Sequence, residues 1–115
     1  MLFAKKTAAE KRAAFAAGLK SGKLLRFPGA MNPLTAMAIE TKGFDGVYIS
    51  GAVLSADLGL PDIGLTTLTE VSQRGHQIAR VTEHPSIIDI DTGFSEPMSA
   101  ARTNQEKEDK IGRAK

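Results

Sequence analysis

Strand-like and helix-like segments alternate along this chain, and that alternation limits its fold more than any other feature. Leu24-Leu25-Arg26-Phe27, Val47-Tyr48-Ile49 and Ser86-Ile87-Ile88-Asp89-Ile90-Asp91 read as short strands of apolar, β-branched and aromatic residues. A segment with helix signals separates each from the next. Strands joined through helices run parallel, with right-handed crossovers. The order predicted is one leading helix, then strand–helix three times over. Either a doubly wound sheet or part of a (β/α)8 barrel satisfies it, and three strands cannot close a barrel of eight.

The helix boundaries are marked by cap chemistry. Thr7 and Glu10 form a capping-box pattern ahead of an Ala-rich stretch, residues 8–20, with Phe15 and Leu19 on one face. Ser21-Gly22 ends it. Asn32 suits an N-cap and Pro33 the first helical position, so a second helix is expected to about Lys42, stopped by Gly43. Thr67 and Glu70 repeat the capping box before a helix over about 68–81. From Gly51 to Leu65 the sequence reads as a long loop, a length often tied to function. Thr92-Gly93-Phe94 is expected to turn the chain and Pro97 to start a last helix.

No internal repeat or linker divides the 115 residues, so a single domain, 1–115, is expected. Hydrophobic content of 42% and charged content of 24% suit a soluble globular protein. With zero Cys there is no disulfide, thiolate ligand or cysteine nucleophile in these residues. Seven of the 15 Lys and Arg lie in residues 1–26 and five in 101–115, while 27–100 hold nine carboxylates against three cations. Cations that flank an acidic middle, with no interleaved aromatics, argue against nucleic acid as a partner. No stretch approaches a membrane span and no signal-peptide run follows Lys5-Lys6, which gives a cytoplasmic expectation with no membrane partner.

Three places could carry chemistry. Asp89 and Asp91, two apart at the carboxyl end of a strand, face the same way. Paired carboxylates there need a cation, a shared proton or solvent, and a hard ion such as Mg²⁺ accepts one or two carboxylates while keeping several waters. Taken alone, such a pair is more commonly a solvated or capping strand end. Ser50-Gly51-Ala52, at another strand's carboxyl end, offers small residues whose backbone N–H groups could approach an anion; taken alone, a plain loop start is the commoner explanation. Asp62, after Leu60-Pro61, would by itself be a turn residue. His76 and His84, the only histidines, are expected in surface roles.

Together the motifs Phe27-Pro28-Gly29-Ala30, Gly43-Phe44-Asp45-Gly46-Val47-Tyr48-Ile49-Ser50-Gly51, Leu58-Gly59-Leu60-Pro61-Asp62-Ile63-Gly64, Asp89-Ile90-Asp91-Thr92-Gly93-Phe94 and Ala100-Ala101-Arg102-Thr103 resemble the isocitrate lyase and phosphoenolpyruvate mutase superfamily, most closely its 2-methylisocitrate lyase branch. The likeness covers residues 8–103. It implies the N-terminal part of a (β/α)8 barrel: an N-terminal helix, then about three parallel βα units, in a protein that assembles as a homotetramer. It also implies Mg²⁺ held directly by Asp89 and through water by Asp62 and Asp91, with Ser50, Gly51 and Ala52 contacting a small carboxylic-acid substrate. The implied reaction cleaves 2-methylisocitrate to pyruvate and succinate, with Mg²⁺ as the Lewis acid on the pyruvate half. Oxaloacetate- and phosphonopyruvate-acting members share that metal site.

Two departures qualify the resemblance. The lyases carry a Cys-Gly-His loop beyond the third strand, whose cysteine serves as the acid, and this chain has no Cys. Residues 104–110 hold no apolar side chain where the family continues as an amphipathic helix, so 104–115 reads as a divergent polar tail. The expectation is a truncated enzyme, inactive alone. The other readings are a non-catalytic barrel fragment that associates with itself or a partner, and a small nucleotide-binding domain, which lacks both phosphate-loop motifs.

Overall fold

The computed structural model describes residues 3–90. Its elements run α1 (Ala8–Lys20), α2 (Pro33–Thr41), β1 (Val47–Ile49), α3 (Gly51–Asp57), α4 (Leu68–Ala79) and β2 (Ser86–Ile88). The strand end at Asp91, the turn at 92–94, the helix from Pro97 and the tail 104–115 lie outside the described residues.

Local chemistry sets most boundaries. The Thr7–Glu10 and Thr67–Glu70 capping boxes both form: each threonine oxygen accepts the glutamate N–H and each glutamate accepts the threonine N–H. Asn32 Oδ1 accepts from Thr35 N at 2.9 Å, with Pro33 next as the first helical residue. Gly43 ends α2 with φ of 81°, a left-handed conformation that costs glycine nothing sterically.

β1 and β2 pair in parallel, with Val47 opposite Ser86, Tyr48 opposite Ile87 and Ile49 opposite Ile88. The expected first strand at Leu24–Phe27 does not form. Instead the chain touches β1 a few residues later, through a single parallel bridge between Gly29 and Tyr48. Tyr48 N donates to Pro28 O and Ala30 N to Tyr48 O, both at 2.9 Å. Pro28 has no N–H to continue a ladder, and Leu24 is 84% exposed, with no face to bury it. β1 thus lies between the 28–30 segment and β2.

The core occupies one face of this sheet. Val47, Ile49 and Ile88 pack with Ala36 and Ile39 of α2 and Val71, Ile78 and Ala79 of α4. Between the buried Val47 and Ile49, Tyr48 points to the other face and is 37% exposed. On α1 the inward residues are Lys11 and Phe15, whose ring meets Phe27 edge-on at 5.3 Å; Leu19, expected beside Phe15, is 62% exposed. Gly18 faces Leu25 instead, where an added Cβ would lie 3.2 Å from its side chain. Among the described residues no helix is long and apolar enough to cross a membrane.

Candidate functional site

The segment from Gly51 reads as loop in sequence, but it folds as helix α3 directly after β1. Ser50 is its N-cap, its oxygen accepting from Val53 N at 3.4 Å. Leu54 is the residue that anchors the helix, 3% exposed against the core. The three residues Ser50, Gly51 and Ala52 therefore form the cap and first turn of a helix at the carboxyl end of β1, where backbone N–H groups lack intrahelical partners by construction. The Ser50 oxygen is used as an acceptor, which leaves its hydroxyl proton free to donate.

Asp89 meets this turn. Its N–H donates to Ile49 O at 3.1 Å, carrying the ladder one residue past β2 and placing Asp89 level with Ser50. A Cβ built on Gly51 would lie 3.0 Å from Asp89 Oδ2 and 3.5 Å from its Cγ. Gly51 is buried, and the Asp89 carboxylate packs closely against the side where its Cβ would stand.

The other expected residues divide. Asp62 is exposed, in the segment between α3 and α4. Asp91 lies outside the described residues. Among the described residues, no group of three His, Cys, Asp or Glu side chains is close enough together to hold a metal ion. His76 is exposed on α4. His84 precedes β2 at the opposite, amino end of the sheet, its Nε2 3.7 Å from Glu40 Oε1.

The structure also brings together residues that sequence reasoning passed over. At the amino end, Lys11 is 9% exposed and its Nζ donates to Ala79 O at 2.8 Å. Burial pulls its pKa below the ordinary 10.5, against the opposing pull of Glu83 and Glu40. Glu83 Oε1 accepts from Lys6 N and Lys5 N, and the Lys6 bond is the main cause that holds its pKa below the ordinary 4.5. Lys11 falls one turn before Phe15, a spacing that marks it as inward-facing. At the carboxyl end, Arg74 Nη1 donates to Asp57 Oδ2 of α3 and to Met31 O at 2.9 Å. No sequence spacing links those three residues.

The family model described as phosphoenolpyruvate phosphomutase matches residues 15–112. The chain belongs to this family. It is 62% identical over 100 residues to a probable 2-methylisocitrate lyase of Corynebacterium glutamicum, covering 87% of this chain and 33% of that protein. Among solved structures, phosphonopyruvate hydrolase in complex with oxalate and Mg²⁺ superposes with a TM-score of 0.85 at 34% identity, over 90% of this chain and 36% of that one. A 2,3-dimethylmalate lyase of the PEP mutase/isocitrate lyase superfamily superposes with a TM-score of 0.80 at 28% identity, over 93% and 38%. The family chain thus spans about a third of the length of the relatives it matches. Its mixed α/β fold, with parallel strands, is that of superfamily members that cleave or rearrange small acids.

Proposed function

We propose that these residues form the metal- and carboxylate-binding part of a Mg²⁺-dependent carbon–carbon lyase that splits 2-methylisocitrate into pyruvate and succinate. In this reading the chain is the first stretch of a (β/α)8 barrel, whose chemistry gathers at the carboxyl ends of its strands. The observation that carries it is the Asp89 carboxylate lying against the Cβ-free space of Gly51.

The donor set suits Mg²⁺. Asp89 is a hard oxygen ligand beside a backbone turn, and one or two carboxylates suffice for an ion that keeps several of its waters. Asp62 and Asp91 would hold such waters. When bound, Mg²⁺ supplies a Lewis acid for the oxygen that carries negative charge on the pyruvate half.

The chain's own residues bind and orient. The first-turn N–H groups of Gly51 and Ala52 and the Ser50 hydroxyl are suited to receive the carboxylate and neighbouring oxygen of the pyruvate half. Asp89 closes the other side. Cleavage removes the proton of the C2 hydroxyl, breaks C2–C3 and leaves the ketone of pyruvate. The electron pair passes to C3, which must be protonated to give succinate, and no cysteine is present in these residues to act as that acid. Identity of 62% to the C. glutamicum lyase favours this substrate over phosphonopyruvate or oxaloacetate.

Complementation tests the reading. The 115-residue chain would be co-expressed with the portion of the C. glutamicum lyase that follows the matched region, and pyruvate release from 2-methylisocitrate measured. Each piece alone should be silent, the pair active, and Asp89→Ala in this chain should abolish the activity. Activity that survives Asp89→Ala, or that prefers phosphonopyruvate, would overturn the assignment.

A further inference from the structure

We infer that Arg74 is a positioning residue for the carboxylate cradle, acting through the far end of α3. The inference rests on the proposed role of Gly51 and Ala52, and it concerns what holds them in place.

A helix of seven residues is about 10 Å long and too short to be stable alone. Its fixed points are the Ser50 cap, the buried Leu54 and Ser55, and whatever secures its C-terminal end. Apolar packing does not secure that end. Val53 and Leu58 are 39% and 42% exposed, and a hollow of about 150 Å³ lined by Leu54, Leu58, Val71 and Arg74 separates α3 from α4. That end is instead held by Asp57, which accepts from Arg74 of α4.

The same guanidinium nitrogen reaches Met31 O, one residue past the Ala30 N–H that pairs with Tyr48 O. One side chain therefore ties together α4, the end of α3 and the chain just beyond the 28–30 segment. Both partners lie at the carboxyl end of the sheet. The Arg74 and Asp57 side chains are 29% and 31% exposed, so the pair is shielded on most sides. With Leu54 as pivot, freeing Asp57 lets α3 tilt, and its first turn moves against Asp89. Both bonds leave one nitrogen, Nη1, whose two N–H groups can each serve one acceptor, and a lysine at this position has a shorter reach and a different donor geometry.

The test compares the 115-residue parent with Arg74→Met, Arg74→Lys and Asp57→Asn. The readouts are the amide resonances of Gly51 and Ala52 without ligand, and the affinity for oxalate in the presence of Mg²⁺. Arg74→Met should shift both amides and weaken oxalate about 5-fold, the scale of one partly exposed ion pair. Arg74→Lys should fall between parent and Met. Asp57→Asn, which leaves the Met31 contact intact, carries the same test if Arg74→Met does not fold. Gly46→Ala, at the other end of β1, should lower stability without moving these amides, which separates positioning from general loss of structure. Unchanged Gly51 and Ala52 amides in Arg74→Met and Asp57→Asn would overturn the inference. If the parent binds no oxalate yet the amides shift, the positioning stands and the lyase reading fails.

Discussion

Gly51 is where stability and function separate most cleanly. It stands at the first position of α3, where alanine is at least as favourable for a helix. The added methyl, however, would come within 3.0 Å of Asp89 Oδ2. Gly51→Ala should therefore leave the thermal midpoint level or raised, while Mg²⁺ and oxalate binding weaken several-fold. Unaltered binding would mean that the carboxylate has room to retreat and that the contact sets nothing. At the amino end, two groups give opposite pH signatures. Glu83 titrates below its unfolded value of 4.5, so its contribution to stability is complete above that pH and is lost as pH falls through the lower folded value. Glu83→Gln should flatten the acid limb of the stability curve. Lys11 also titrates below its unfolded value, 10.5, but as a base. Holding it charged in the fold costs stability at neutral pH, and that cost is relieved as pH rises from the folded value towards 10.5. The stability difference between Lys11→Met and the parent should change across that alkaline range and be constant below it. A difference independent of pH up to 10.5 would show that Lys11 is not desolvated.

Elements with strong local chemistry were legible from sequence. Thr7, Asn32, Pro33, Thr67 and Gly43 each act through neighbours within four residues, and all four boundaries they announce are observed. What depends on distant contacts was not. The 24–27 run has strand composition, but a strand exists only where a partner accepts its ladder, and here the contact comes at Gly29. α3 is hidden in a Gly-rich stretch because its support comes from distant contacts, the core that Leu54 packs on and Arg74 of α4. The same holds for the site: Ser50, Gly51 and Asp89 could be nominated by their places at strand ends, whereas the closeness of Gly51 to Asp89 needed the register of β1 and β2. Gly46, just before β1, gives the element-scale prediction. A Cβ there would overlap the Phe27 ring and come within 2.6 Å of Pro85 O, and backbone cannot step aside. Gly46→Ala should cost about 1–3 kcal/mol in chemical denaturation, the usual range for overpacking. A loss much below this would mean that the 27–28 segment yields easily.

At the scale of the whole molecule, the described sheet is covered on one face. The core lies between the strands and α2 and α4, while Tyr48 is part-exposed on the other side and Leu24, Leu34 and Ile63 are each more than 70% exposed. Parallel sheets are ordinarily buried on both faces, and unpaired strand edges recruit partners. The isolated chain should therefore self-associate with rising concentration and bind a hydrophobic dye, seen by sedimentation and fluorescence; a dye-free monomer at every concentration would contradict this. The same open arrangement places Asp89 and the first turn of α3 together at one end of the sheet, and the proposed chemistry depends on that juxtaposition. Calorimetric titration of oxalate into the 115-residue chain, with and without Mg²⁺ and with Asp89→Ala alongside the parent, tests it most directly. Oxalate should bind the parent only with Mg²⁺ present, and Asp89→Ala should weaken that binding at least about tenfold, roughly 1.4 kcal/mol. Oxalate binding that ignores Mg²⁺, or that Asp89→Ala leaves as strong as in the parent, would contradict it.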